Sequence, residues 1–173
     1  MGECVIMFIY KNNGKTIRIY NVSDLNKDYK KITELGENEK KVNILNLYGP
    51  GISSDINNII NETIKSIENK SMLNIKNDLE KKHSFFYSKD LDVLTNDIFE
   101  NWEKYPQVIN IKNKEEITLF YFIETIMRYF KEKVPTKSER KRYKNKMNFT
   151  LFDCKSSYEE NIKDYIKEAK GEK

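Results

Sequence analysis

Basic side chains crowd one stretch of this sequence, and their chemistry is that of phosphate recognition. Three of the four arginines, Arg128, Arg140 and Arg142, fall within fifteen residues. The run 131–146 carries eight basic residues against two acidic ones, a local charge of +6 in a chain whose net charge is +4. Arg140 and Arg142 can each offer a forked pair of donors to phosphate oxygens. Tyr143, between Arg142 and Lys144, can stack on a base while the cations hold the backbone. The expected contact set is Arg128, Lys137, Arg140, Lys141, Arg142, Tyr143, Lys144 and Lys146. The partners expected from it are nucleic acid, a nucleoprotein complex or an acidic protein surface. The competing reading is a solvated connector, because lysine outnumbers arginine 27 to 4 and is cheap in an AT-rich gene.

A second constellation lies just beyond. Phe149–Ser157, FTLFDCKSS, is an apolar strand ending in Asp-x-Lys before a capped helix, and it resembles the second half of the PD-(D/E)xK nuclease core. The resemblance implies Asp153 as a metal carboxylate and Lys155 as the lysine that organises the attacking water. That family places another acid on the preceding strand, and residues 140–152 contain none. Leu47–Asp55, LYGPGISSD, carries a Gly-x-Gly string similar to the first sirtuin loop, where glycines let the backbone approach a dinucleotide phosphate. A Rossmann loop adds a third glycine and a following acid, which are absent here. A strand-to-helix turn accounts for the same residues, and a helix N-terminus there can accept a phosphate.

Other ionisable residues read as structural. Glu124 interrupts an apolar run but has Arg128 four residues on, the spacing of a surface ion pair. His83 stands alone as the single histidine, which excludes metal sites built on histidine pairs and reads as a surface residue. Asp90, Asp92, Asp97 and Glu100 read as a solvated helix face. Cys4 and Cys154 form no Cys-x-x-Cys pair, so a reduced thiol is expected and zinc is not. No catalytic residue, metal or cofactor is expected.

The elements that must carry these residues follow from pattern. At 173 residues the chain can bury a core without staples. Val5–Tyr10 and Thr16–Val22 read as a hairpin across Asn13-Gly14. Ser23–Lys41 reads as polar, Val42–Tyr48 as a strand, and Ile56, Ile59, Ile60, Ile64 and Ile67 as the stripe of a helix capped by Ser53 or Ser54. Helices are expected over Ser88–Lys104 and Glu115–Lys131, a short basic helix over Lys137–Lys146, and a strand over Asn148–Asp153. The last helix, to about Ala169, opens on a capping box from Ser156 or Ser157.

The sum is an α+β fold, a small, mainly antiparallel sheet with an N-terminal hairpin and four to five helices. It is expected as one domain over 1–173, subdivided into a β-rich region over residues 1–52 and a mainly helical region over residues 53–173. The apolar start, GECVIMFIY, is too short to span a membrane, so a cytoplasmic protein is expected, with Met1 and Met7 both open as starts. The leading reading is a small non-enzymatic interaction protein, of the anti-defence kind made by phages and mobile elements, contacting nucleic acid through 131–146. A metal-dependent nuclease using Asp153 and Lys155, or an inhibitor of a host protein, are the alternatives.

Overall fold

The computed structural model describes residues 6–25, 34–141 and 147–172. Strand β1 (Ile6–Asn12) turns at Asn13 and Gly14, both with positive φ, into β2 (Lys15–Val22). That turn matches the twist of the flanking strands, which is why the pair closes antiparallel. Every later pairing in the main sheet is parallel. Strand β3 (Glu39–Leu45) lies beside β2, β8 (Val108–Asn113) beside β3, and β11 (Thr150–Phe152) beside β8. The five strands run β1-β2-β3-β8-β11, so their spatial order follows chain order without reversal.

This corrects the expected small antiparallel sheet. The physical sign of a parallel interior strand is burial on both faces, and Lys40 through Leu45 are all buried. Helices lie between β3 and β8 and between β8 and β11, as parallel crossover connections require. Helix α1 (Asp55–Glu68) starts on Ser54, whose side chain accepts from the Asn57 N–H. Helix α2 (Leu91–Glu100) is flanked by 3₁₀ turns at Ser88–Asp90 and Trp102–Lys104, so the long helix expected over this stretch is broken in three. Helix α3 (Leu119–Phe130) ends on Lys131 in the left-handed conformation. Helix α4 (Tyr158–Ala169) opens on the Ser157–Glu160 capping box.

Two apolar clusters divide the interior. Ile17, Ile19, Val42, Ile44, Ile109 and Ile111 from one face of the sheet pack on Leu91, Leu94, Ile98 and Trp102 of the α2 region. The second cluster joins α1, α3 and α4 around Tyr48, Phe85 and Phe122. It is completed by a parallel ribbon that the sequence pattern does not signal, β5 (Leu73–Asn77) with β10 (Thr136–Lys141). The basic helix expected over Lys137–Lys146 is therefore a strand as far as Lys141, and 142–146 lie outside the described residues. Short pairs finish the frame. Strand β4 (Leu47–Tyr48) runs parallel to β7 (Phe86–Tyr87), and β6 (Lys82–His83) antiparallel to β9 (Ile117–Thr118). Among the described residues no helix is long and apolar enough to cross a membrane.

Candidate functional site

In α/β sheets ligands settle where the strands end at their carboxyl termini, and here that edge gathers polar groups. The chain leaves β2 into Asp24 and leaves β3 into Asn46, a non-glycine residue at φ +50°. The Asp24 carboxylate accepts from Asn46 Nδ2 at 2.7 Å and meets His83 Nδ1 at 2.9 Å, with Lys81 Nζ at 4.0 Å. In return the Asp24 N–H donates to Asn46 Oδ1 at 3.2 Å. An ionised carboxylate only accepts, so the imidazole donates from Nδ1. Its Nε2 is buried and has no partner among the described residues. His83, expected at the surface, is 2% exposed. Its sequence neighbours carry no hint of this, because Asp24 is 59 residues away.

Burial opposes the charge on Asp24, but hydrogen bonds from His83 and Asn46 and the charge of Lys81 outweigh it and hold the carboxyl below its ordinary range. The stability this contributes is fully present above the carboxyl's unfolded pKa. It disappears as pH falls through the lower folded value. The stability difference between wild type and Asp24→Asn, read from urea midpoints between about pH 7 and pH 2.5, is expected to shrink with acid. A constant gap across that window would contradict it.

Beside this cluster lies a cleft of about 390 Å³, a size usual for small-molecule sites. Asp55, Ile59 and Glu62 line it from one face of α1, and Asn74, Ile75, Lys76 and Asn77 from β5, with Leu25 at its side. Positions 55, 59 and 62 share a helical face because they are four and three apart. Asn77 Nδ2 donates to the Leu25 carbonyl at 2.8 Å, tying the strand to the segment after Asp24. The β5 edge away from β10 is unpaired among the described residues, so it offers backbone donors and acceptors next to the cleft.

None of the described residues singled out for phosphate contact lines this cleft, but two pair with residues of β5 that do. Lys137 sits opposite Asn74 in the ribbon, and Lys141 opposite Asn77. The Glu139 carboxyl is held below its ordinary range by a hydrogen bond from Lys141 first, then by the charges of Lys141, Lys76 and Lys137, so the three ammonium groups share one exposed ribbon face. Arg128 is elsewhere, on α3. It covers the Tyr121 ring at 5.3 Å, donates to Thr125 Oγ1 and pairs with Glu159 of α4 at 3.5 Å. That ion pair reaches across to another helix rather than to Glu124, so the spacing of four did not decide it. Arg140 belongs to β10, while Arg142, Tyr143, Lys144 and Lys146 lie outside the described residues.

The Asp-x-Lys pair assembles nothing. Asp153 and Lys155 are both exposed, and among the described residues no three His, Cys, Asp or Glu side chains gather into a metal-binding group. Asp90, expected in a solvated face, is instead buried against the end of β11. Burial raises its carboxyl pKa against hydrogen bonds from the Lys155 backbone, Ser156 and Cys154. Burial also pushes the Cys154 thiol up, which leaves it a poor nucleophile.

No protein-family model matches the chain, and no curated protein sequence is significantly similar to it. Solved structures share its fold. A UDP-glucuronic acid 4-epimerase from Bacillus cereus in complex with NAD superposes with a TM-score of 0.58 at 19% identity, over 76% of this chain and 45% of that one. A GDP-L-fucose synthetase from Naegleria fowleri bound to NADP gives 0.56 at 14%, over 75% and 46%. A GDP-mannoheptose C4 reductase from Campylobacter jejuni with NADP bound gives 0.55 at 13%, over 76% and 49%. The chain spans about half the length of these proteins. The fold is thus Rossmann-like, and these three neighbours are named as enzymes. That likeness overturns the expected non-enzymatic, nucleic-acid-binding anti-defence factor and its host-inhibitor alternative.

The cofactor of those enzymes can be tested against the loop at the head of α1, and the residues do not fit it. Ser54 stands where the Rossmann fingerprint has its third glycine. Gly49, in the place of the fingerprint's first glycine, makes room for Ser88, whose Oγ an added side chain would meet. Asn57 takes up the loop's own polar groups, accepting from the Gly49 N–H and donating to the Gly49 and Ile52 carbonyls. Asp55 places a negative charge in the first turn, where an anion would sit. The strand order also lacks the reversal that opens a dinucleotide crevice.

Proposed function

We propose that this chain binds a sugar nucleotide as part of an epimerase- or reductase-type activity, without an NAD(P) site in the Gly49–Ser54 loop. The observation that carries this reading is the cleft between α1 and β5, a strand whose edge away from β10 is unpaired among the described residues, at the carboxyl end of a parallel sheet and beside a basic ribbon face. The proteins that share the fold are named for UDP-, GDP- and dTDP-linked sugars, and one was solved with UDP-glucuronic acid together with NAD.

Each part of a nucleoside-diphosphate sugar finds a chemical counterpart here. Ile59, Ile75 and Leu25 supply apolar surface for a base. The free edge of β5 supplies the alternating donors and acceptors that a base edge requires. Asp55 and Glu62 can accept from ribose or sugar hydroxyls, as acids do in nucleotide sites. Lys76 and Lys137 offer ammonium groups for the diphosphate, with Lys141 beside them on Glu139. The chain's own work is therefore to bind and orient the sugar nucleotide.

Thermal melting with UDP-glucuronic acid, GDP-L-fucose or NADP as sole additive tests the reading. A ligand at one hundred times its Kd stabilises by about 2.7 kcal/mol, which for a chain of this size raises Tm by roughly 5 to 10 °C. A sugar nucleotide is expected to produce that shift, NADP is not, and Lys76→Glu is expected to weaken the sugar nucleotide at least about tenfold, since it reverses a charge facing phosphate. Protection by NADP alone, or by none of the three, would overturn it.

A further inference from the structure

We propose that Asp24, Asn46 and His83 form a latch that holds one wall of the cleft in place, with His83 acting as a positioning residue. The proposal rests on the reading of the α1–β5 cleft as the ligand site. Its basis is a chain of contacts from the buried imidazole to the cleft lining. His83 is carried by β6, which is pinned to β9, and its Nδ1 fixes the Asp24 carboxylate at 2.9 Å. Asn46 at the end of β3 holds the same residue twice, its Nδ2 donating to the Asp24 carboxylate and its Oδ1 accepting from the Asp24 N–H. The next residue, Leu25, is buried, lines the cleft, and receives Asn77 Nδ2 on its carbonyl. Thus the ends of β2 and β3, strand β6 and the lining strand β5 are joined through two consecutive residues.

The arrangement is specific in its chemistry. Asn46 also donates to the Ser84 carbonyl at 2.9 Å, so moving Asp24 releases a contact on the far side of His83 as well. His83 cannot turn to another acceptor, because its ring is enclosed and lies 5.8 Å from the Phe85 ring. Lys81 and His83 are the basic side chains that meet the Asp24 carboxylate among the described residues. Neutralising the carboxylate removes a charge-assisted bond from a buried group. Among the described residues, Leu25 then keeps its hydrogen bonds from Asn77 and to Ser23 Oγ but loses the anchor before it.

Hydrogen exchange resolved by residue, on the full chain without ligand, tests the latch directly. In Asp24→Asn and in His83→Gln the amides of Asp24 and Leu25 are expected to exchange about tenfold faster or more, the scale of one charge-assisted hydrogen bond. Amides of Ile44 and Ile111 in the sheet are expected to keep their protection. The double variant is expected to go no further than either single one, since both remove the same contact. UDP-glucuronic acid, added last, is expected to bind both variants more weakly than wild type. Unchanged exchange at Asp24 and Leu25 in the variant that folds overturns the latch, as does equal binding of UDP-glucuronic acid by wild type and variants. Faster exchange with no binding even in wild type upholds the latch and overturns only the ligand reading.

Discussion

Truncating Phe122 to alanine is expected to cost about 3 to 5 kcal/mol. The side chain is 0% exposed and stands where α1, α3 and α4 converge on the β4–β7 pair. Its ring meets Phe85 at 4.8 Å and the edge of Tyr48 at 5.5 Å, so removal takes away two aromatic contacts as well as buried area. The neighbours are themselves held: Tyr48 and Phe85 are on strand and strand-end backbone and cannot collapse into the void. A cavity persists, and the cost is at the upper end of the range. Urea unfolding followed by tryptophan fluorescence measures it, with Trp102 in the other cluster reporting whether the whole chain responds. A loss below about 1 kcal/mol would show that this cluster does not carry the fold.

Gly49→Ala is expected to be of similar size for a different reason. Gly49 has φ +147°, a conformation that costs an L-residue about 1 to 3 kcal/mol. The added methyl would also stand 2.0 Å from Ser88 Oγ and 2.8 Å from Ser88 Cβ. Oγ can turn aside about χ1, but Cβ cannot withdraw, because Ser88 begins the 3₁₀ turn that leads into α2. Together these are expected to exceed about 3 kcal/mol, a Tm drop of roughly 6 to 12 °C. Adding Ser88→Gly should return the share due to the clash and leave the share due to the backbone. A single variant as stable as wild type would mean that the turn does not need its glycine.

Gly49 also shows how a short motif misleads in both directions. Along the chain, Gly49-x-Gly51 suggests a phosphate loop; in three dimensions its glycine makes room for Ser88 and its amide answers to Asn57. The basic run misleads similarly. Its charge is visible in the sequence, but half of its meaning lies in Lys76, far earlier in the chain, which only the pairing of β5 with β10 brings alongside. Strand β10 is hidden because TKSERK has no apolar alternation; its partner LNIKN supplies the buried residues for both.

What the sequence by itself determined is local. Asn13-Gly14 sets the hairpin because both residues tolerate positive φ. Ser54 and Ser157 start helices because their hydroxyls satisfy free N–H groups, and the isoleucine stripe of α1 and Leu119, Phe122 and Ile123 of α3 go inside because water rejects them, while Phe120 and Tyr121 on the other face of α3 stay exposed. The tertiary structure decided what depends on contacts distant in sequence. Whether β3, β8 and β11 pair parallel or antiparallel is set by the crossover path and not by the strands' own residues. Whether His83 lies in water or on Asp24, and whether Lys76, Lys137 and Lys141 form one face, depend on strands that are neighbours in space and strangers in sequence.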